Sequence, residues 1–567
     1  MEHKGKLELT WVGKYDDKVL EPRILVEDRE KSYGDPRSEN MLIHGDNLIA
    51  LQALQQDFYG SIKCIYIDPP YNTGSALVGQ KYDDNLEHST WLTLMRSRLV
   101  LLRELLCEEG TIWIQIDDEE QAYLKVLCDE VFGRGNFVNM ISVNMKNIAG
   151  ASGGGEDKRL KKNCEYILIY AKDYTLLPLF NGPYVYTEMS ELIQQYLDEG
   201  KSWKYTSVLV NPGAKEYIGS TVDGAGNEIK VYRRTGVETM SINQIAKKEG
   251  LTIKEAYRKH GINVFRTTNA QTSIRTRIIE YRKQNDIHDP YLSIEYIPRT
   301  GKNKGVVYEQ FYKDDGCNLF VWLRDTSEVI DGELFKKDLQ GTYWDMNAWM
   351  KNLTKEGSVE FGNGKKPEQL IRQIFEMTTE PGDWVLDSFL GSGTTAAVAT
   401  KMGRKWVGIE LRNHAYTHCK VRLDRVISGE DAGGITKAVG WEGGSGYHFY
   451  ELAPSLLVKN ERLPIYQINP EYTFEMLCEA ICKIEGFKYK PDGVYHGHSS
   501  EKRFIHITKE FVNADYIRSI ATTLGEDQSL LVYSTKVQSD LRLPDNIEVK
   551  RIPKDLLDKC TFESEVR

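Results

Sequence analysis

The chain contains no apolar run approaching the roughly 18 residues that a membrane-spanning helix needs, so no span is expected. Its opening stretch, MEHKGKLELTW, has neither the basic flank nor the apolar core of a secretory signal, and a cytoplasmic location is expected. Cysteine is sparse and scattered, with nine in 567 residues. The one close pair, Cys478 and Cys482, sits at helical spacing with no second pair to complete a zinc site, so reduced, buried thiols and no metal are expected. An overall positive charge is missing too: the net is −10, which by itself speaks against a polyanionic partner. That average hides a local reversal. Residues 201–310 hold 19 Lys and Arg against 11 Asp and Glu, a net of +8 in a chain whose remainder carries about −18. A basic middle between acidic flanks is the electrostatic footprint of a nucleic-acid reader set into an enzyme, or of an ordinary basic surface patch.

What is present is the composition of a globular protein, 41% hydrophobic and 28% charged, at a length that implies two to four domains. Within 41–172, SIKCIYID and TIWIQID read as buried strands, and STWLTLMRSRLVLLRELLCEEG predicts a long helix ending at Gly110. CEYILIYAK is a further strand. Continuous apolar strands between amphipathic helices mean a mostly parallel, doubly wound α/β sheet covered on both faces. Residues 173–360 lose this rhythm and become rich in Tyr, Asn, Gly, Arg and Lys, just after the loop-like GASGGGED. The α/β pattern returns over 361–435 with KPEQLIRQIFEMTT, DWVLDSF, TTAAVATKMG and KWVGIEL. Neither half has enough strands for its own core, so one sheet interrupted by the basic segment is expected. Residues 1–40 read as an extension, and 436–567 as a small, separate α/β domain.

Asp68-Pro69-Pro70-Tyr71 follows directly on a buried strand. A carboxylate at the carboxyl end of a parallel strand faces the crevice where such sheets bind ligands, and the two prolines fix the backbone beyond it. A rigidly placed carboxylate, carbonyl and aromatic face suit methyl transfer to an aromatic amine, whose lone pair is delocalised into the ring. Acceptance of the two amine hydrogens by Asp68 and the Pro69 carbonyl would free that lone pair for in-line attack, with Tyr71 stacked on the base. The same tetrapeptide also reads as a stiff turn with a capping aspartate.

The second constellation is Asp387-Ser388-Phe389-Leu390-Gly391-Ser392-Gly393-Thr394-Thr395, between a strand and a helix. Its glycines admit close approach of a ligand to the backbone, and the helix start offers free amides. Glu410, seventeen positions beyond Gly393 and at the end of the next strand, can take the hydroxyls of a ribose. Taken alone, GSGTTA equally fits a nicotinamide or flavin dinucleotide site; Asp68 to Tyr71, for which dehydrogenases have no use, tips the balance.

DPPYNTGS, DNLEHSTWLTLMRSRLVLLRELL, GTIWIQIDDEE, KPEQLI and DSFLGSGTTAAVA together resemble the beta group of amino-methyltransferases, and within it the modification subunits of type III restriction systems. The likeness is close over 40–172 and 360–430. It implies a class I methyltransferase fold of permuted motif order, with S-adenosylmethionine as cofactor and adenine in duplex DNA as substrate. The target-recognition domain lies between the two motifs, over 173–360. It assigns catalysis to Asp68, Pro69, Pro70 and Tyr71, and cofactor binding to Asp387, Phe389, Gly391, Gly393, Thr394 and Glu410. Asp46, in HGDNLIAL, takes the place of the acid that meets the cofactor's adenine, and Lys366 and Pro367 that of the element over its methionine part. The plainer readings are that Asp46 caps a helix and that Lys366-Pro367 starts one. Ser388 departs from the family, which usually has proline there. The implied partners are double-stranded DNA, a second copy of the chain and a helicase-nuclease subunit; a solitary methyltransferase and a catalytically silent DNA-binding subunit are the alternatives.

A base inside a duplex must be rotated out to be reached, so groups that hold distorted DNA are required. Arg233, Arg234, Lys247, Lys248, Arg258, Arg266, Arg275 and Arg277 are the candidates in the basic segment. Within it, SINQIAKKEGLTIKEAYRKHG resembles a helix-turn-helix with Gly250 at the turn, or is an unrelated helical hairpin.

Overall fold

The structure, a computed structural model, describes residues 8–15, 20–72, 86–145, 162–182, 184–299, 303–351, 353–359, 361 and 364–562. The NTGS continuation beyond Asn72 and the GASGGGED loop lie outside these residues. The chain forms two compact units, Met1–Asn181 with Gly341–Arg567, and Gly182–Gln340. Among the described residues no helix is long and apolar enough to cross a membrane.

The first unit is built on an eleven-stranded sheet. In chain order its main strands are β1 (Leu25–Glu27), β2 (Met41–His44), β3 (Ile62–Ile67), β4 (Leu106–Ile116), β5 (Phe137–Asn144), β6 (Cys164–Ala171), β7 (Tyr343–Asp345), β8 (Trp384–Asp387), β9 (Lys405–Glu410) and β10 (Gly446–Leu452). They lie in the order β1-β10-β2-β9-β8-β3-β4-β6-β5-β7. The block from β10 to β4 is parallel, whereas β6 runs antiparallel to β4 and β5, and β1 antiparallel to β10. Strands from both sides of the basic segment therefore share one sheet.

Alternation along β3 explains why its sequence is apolar throughout. Cys64 and Tyr66 enter a core with helices Glu368–Thr378, Thr394–Lys401 and Val421–Ser428. Ile65 and Ile67 enter the opposite core, with helices Asn47–Phe58, His88–Leu105 and Gln121–Cys128. A strand buried on both faces has no room for polar alternation.

Three expected boundaries are corrected. The long helix ends at Leu105 rather than Gly110, because Leu106 turns extended and residues from Leu106 onward pair with the start of β3. β1 and β10 belong to the main sheet, not to an extension and an accessory domain, since β10 pairs in parallel with β2 and buries Tyr447 and Phe449. The remaining carboxy-terminal part has its own five-stranded sheet (488–551) and core but belongs to the same unit, where Gln56 donates to the carbonyl of Phe487 (2.9 Å) and Lys483 to that of Ala53 (3.2 Å).

The second unit contains an antiparallel eight-stranded sheet and a three-stranded one. Its helical hairpin, Ile242–Glu249 and Ile253–His260, is set by local chemistry: Ser241 with Gln244 and Thr252 with Glu255 form capping boxes, and Gly250 is left-handed (φ 67°).

Candidate active site

Parallel pairing of β3 with β8, and of β8 with β9, brings the carboxyl ends of three strands to one edge of the sheet. Asp68 follows β3, Asp387 ends β8 and Glu410 ends β9, so residues more than three hundred positions apart meet there. One cavity is lined by Asp68, Pro69, Pro70, Tyr71, Lys366, Asp387, Phe389, Gly391 and Thr394, together with Tyr66, Phe361 and His414.

The Asp68 side of the cavity is held by hydrogen bonds from three elements. Trp91, wholly buried in helix His88–Leu105, donates its indole N–H to the carbonyl of Pro70 (2.8 Å) and so occupies that oxygen. The Tyr71 hydroxyl lies 2.7 Å from Asp68 Oδ1 and 2.9 Å from Glu165 Oε2. Lys366 Nζ lies 2.8 Å from the Tyr71 hydroxyl, 2.9 Å from Glu165 Oε2 and 3.3 Å from Asp68 Oδ1. Behind them Gln115 donates to Glu165, and Tyr66 donates to Gln115. Burial pushes Asp68 up to about 6, with the Glu165 charge adding to it and Lys366 opposing. For Glu165 burial also opposes ionisation, yet the Lys366 ammonium and the hydrogen bonds of Gln115 and Tyr71 outweigh it and hold that carboxyl below the ordinary range.

On the other side the chain turns tightly at Gly391 (φ 56°) and Gly393 (φ 79°), a backbone region that side chains rarely adopt. Asp387 fixes this turn. It accepts the Phe389 N–H (2.9 Å) and the Thr395 hydroxyl (2.5 Å), and burial raises it to about 7 against those bonds. Glu410, fully buried, accepts the N–H groups of Gly391 (2.8 Å) and Arg412 (3.1 Å), so it sits one bond behind the cavity wall. Thr394 receives a hydrogen bond from Arg422 (2.7 Å). His414 also lines this wall, with its Nδ1 3.9 Å from Glu410 Oε1 and, among the described residues, no hydrogen-bond partner.

The flanking candidates are placed differently. Asp46 is the N-cap of helix Asn47–Phe58, accepting the Leu48 N–H (2.8 Å); it touches the turn only through Asn47, which donates to the Ser388 carbonyl (2.7 Å). Pro367 is the N-cap residue of helix Glu368–Thr378, so Lys366 enters the cavity from the residue before it. Sequence reasoning missed Glu165, Gln115, Trp91, Phe361 and His414. For Glu165 a signal was present, a lone acid at the start of an apolar strand.

In the second unit, the expected DNA contacts sit in different surroundings. Arg234 is buried and engaged with Ser293 (2.9 Å) and Glu309 (2.5 Å), and Arg275 ties down the carbonyls of Cys317 (3.0 Å) and Gly316 (2.7 Å). The Arg234 guanidinium is spent inside the fold, whereas that of Arg275 is half-exposed. Arg233 pairs with Asp289 (3.0 Å) and Glu216 (3.2 Å), Arg258 with Glu333 (3.5 Å), and Arg277 with Glu280 (3.5 Å). Arg266 lies over the Tyr205 ring (5.5 Å). Lys247 and Lys248 are exposed and, among the described residues, take no ion-pair partner.

A family model described as DNA methylase matches residues 62–420. The chain is 44% identical over 456 residues to the probable type III restriction-modification enzyme HindVI Mod subunit of Haemophilus influenzae, covering 80% of this chain and 59% of that protein. It is 28% identical over 458 residues to the EcoPI Mod subunit of Escherichia phage P1, covering 71% of this chain and 62% of that protein. It therefore spans about three fifths of the length of these two curated relatives.

Proposed function

Because the chain belongs to the N6/N4 DNA methylase family, we propose that it transfers a methyl group from S-adenosylmethionine to the exocyclic amine of adenine in duplex DNA. The observation that carries this reading is that Asp68 to Tyr71 and, from the glycine turn, Gly391 and Ser392 line one cavity. The residues present fit the cofactor. The glycine turn admits a ligand against the backbone, the buried Glu410 stands behind it, and the His414 ring lines the same space. Phe389, Gly391 and Thr394 would hold the adenosine side and Lys366 the methionine side, while Gly393, Glu410 and Pro367 shape the wall from behind. Asp387 keeps the turn in shape, and Asp46 acts at one remove through Asn47. When bound, S-adenosylmethionine supplies an electrophilic methyl carbon on a sulfonium.

The chain's own groups do the rest. Asp68 and the carbonyl of Pro69 accept the hydrogens of the target amine, which frees its lone pair. The Trp91 bond to the neighbouring Pro70 carbonyl fixes the backbone that presents them. Tyr71 stacks on the extruded base, and Lys366 sets the charge that Asp68 sees. Aspartate at position 68, where cytosine-amine enzymes of this group more often carry serine, favours adenine.

Of the expected 173–360, the second unit, Gly182–Gln340, serves as the target-recognition unit, with Lys247 and Lys248 as leading phosphate contacts and Arg233, Arg258, Arg266 and Arg277 in support. The chain acts in the cytoplasm as the modification subunit of a type III system, as a dimer with a helicase-nuclease partner; a solitary methyltransferase is the second reading. The test is long-read sequencing of DNA from a host expressing the protein. N6-methyladenine in one sequence context, lost with Asp68→Ala, is expected. Unmodified DNA together with calorimetric binding of a nicotinamide dinucleotide in place of S-adenosylmethionine would overturn the proposal.

A further inference from the structure

Among the described residues Lys366 is the one Lys or Arg that lines the cavity, and it stands beside two carboxylates rather than one. Its ammonium is closer to Glu165 (2.9 Å) than to Asp68 (3.3 Å). Asp68 instead has its short contact with a neutral donor, the Tyr71 hydroxyl at 2.7 Å. Glu165 is aimed at Lys366 from behind: it sits near the start of β6, where Ile116 of β4 pairs with Tyr166, and the Gln115 amide, itself held by Tyr66, donates to the same carboxylate oxygen. Glu165 is absent from the cavity lining, so it acts through the lining residues it touches, the charged Lys366 and the neutral Tyr71.

Without Glu165 a buried ammonium beside a buried carboxylate would close into a charge-assisted pair. Asp68 would then have to break that pair before accepting an amine hydrogen, and the pocket would lose one negative charge. Resting on the methyltransferase reading above, we propose that Glu165 is a positioning residue that draws Lys366 away from Asp68, leaving Asp68 free to accept the target amine and leaving the pocket the negative charge that favours a sulfonium.

The test compares binding of S-adenosylmethionine, which carries the sulfonium charge, with that of neutral S-adenosylhomocysteine, by calorimetry on the full chain. E165Q removes the charge at constant shape. It is expected to lower the preference for the charged ligand about tenfold, the size of one unit charge felt across roughly 10 Å of protein. E165D, which keeps the charge, recovers most of that preference. Q115L, which unseats Glu165 without altering any charge, shifts it in the same direction by less. Single-turnover methylation falls with E165Q in the wild-type background but changes less than about twofold when Lys366 is already methionine, because no ammonium is left to divert. An unchanged ligand preference in E165Q, or an undiminished loss of rate in the K366M background, would overturn the proposal. A wild-type chain that binds neither ligand would instead remove the reading of the site itself, and this proposal with it.

Discussion

Lys401→Met is expected to loosen the cofactor turn from below. Lys401 is fully buried at the end of helix Thr394–Lys401, and its ammonium meets Glu368 Oε1 (3.0 Å), Glu368 Oε2 (2.8 Å), Asp431 Oδ2 (2.6 Å) and the Gly433 carbonyl (3.3 Å). Glu368 also takes Arg422 (2.8 Å), which in turn donates to Thr394 in the turn (2.7 Å). With Glu356, which burial and the Glu368 charge raise to about 7, and Lys365, which burial lowers to about 8, the cluster holds three acids and three bases, balanced once Glu356 ionises. Methionine fills nearly the same volume, and the cavity penalty is small. What remains is one uncompensated buried carboxylate, which costs about 3–5 kcal/mol when one partner of a buried pair is removed. Because the chain has two units, a single unfolding midpoint is a poor reporter, and amide hydrogen exchange over 368–378 and 394–401 is the assay of choice. Protection there should fall by the stated amount. Glu368→Gln added to Lys401→Met restores charge balance and should recover part of the loss, a sign that independent contacts would not give. A single-variant loss under about 1 kcal/mol, or a double variant worse than the single, would refute the account of this cluster.

Asp68→Asn should lower the single-turnover methylation rate, since the amide oxygen still accepts a hydrogen bond but carries no charge, and it should weaken S-adenosylmethionine binding, read by calorimetry, by at least as much as E165Q, because the pocket loses the same unit of negative charge. Burial holds Asp68 near 6, above the ordinary 3.8, so the accepting carboxylate is gained as pH rises through about 6 and lost below it; the single-turnover rate should follow that limb, and a rate already flat below pH 5 would contradict it. Gly393→Ala places a Cβ 3.2 Å from the Cys419 backbone at φ 79°, so a loss of about 1–2 kcal/mol in thermal or chemical unfolding and weaker cofactor binding are expected. Lys247→Ala with Lys248→Ala should weaken DNA binding and flatten its salt dependence by about two counterions, whereas Arg234→Ala should cost stability and leave the salt slope alone, as fluorescence anisotropy across a salt series would register.

The local code of this protein is legible in its sequence. Continuous apolar segments mark strands buried on both faces, Gly391 and Gly393 mark a turn that needs left-handed backbone, and Ser241 and Thr252 cap the two helices of a hairpin. Asp68 announces itself because a carboxylate and two prolines at a strand end serve no packing need. These features depend on neighbours a few residues away, where side-chain chemistry acts directly on the backbone.

Pairing decided the rest. That β3 lies beside β8 is a matter of hydrogen bonds between backbones three hundred residues apart, and backbones carry no side-chain signature of their partner. The same pairing turned LCEEG from a helix end into the start of β4 and drew Gly446–Leu452 into the main sheet. Only in three dimensions does Glu165 arrive behind Lys366, or Trp91 beneath Pro70, because each comes from an element packed across the sheet edge. Arg234 carries the same charge in the sequence as Lys247 and Lys248, yet burial and internal acceptors consume it and leave the lysines at the surface. Sequence determines which groups can do chemistry; the long-range backbone pairing that no local pattern encodes decides which of them stand within reach of one another.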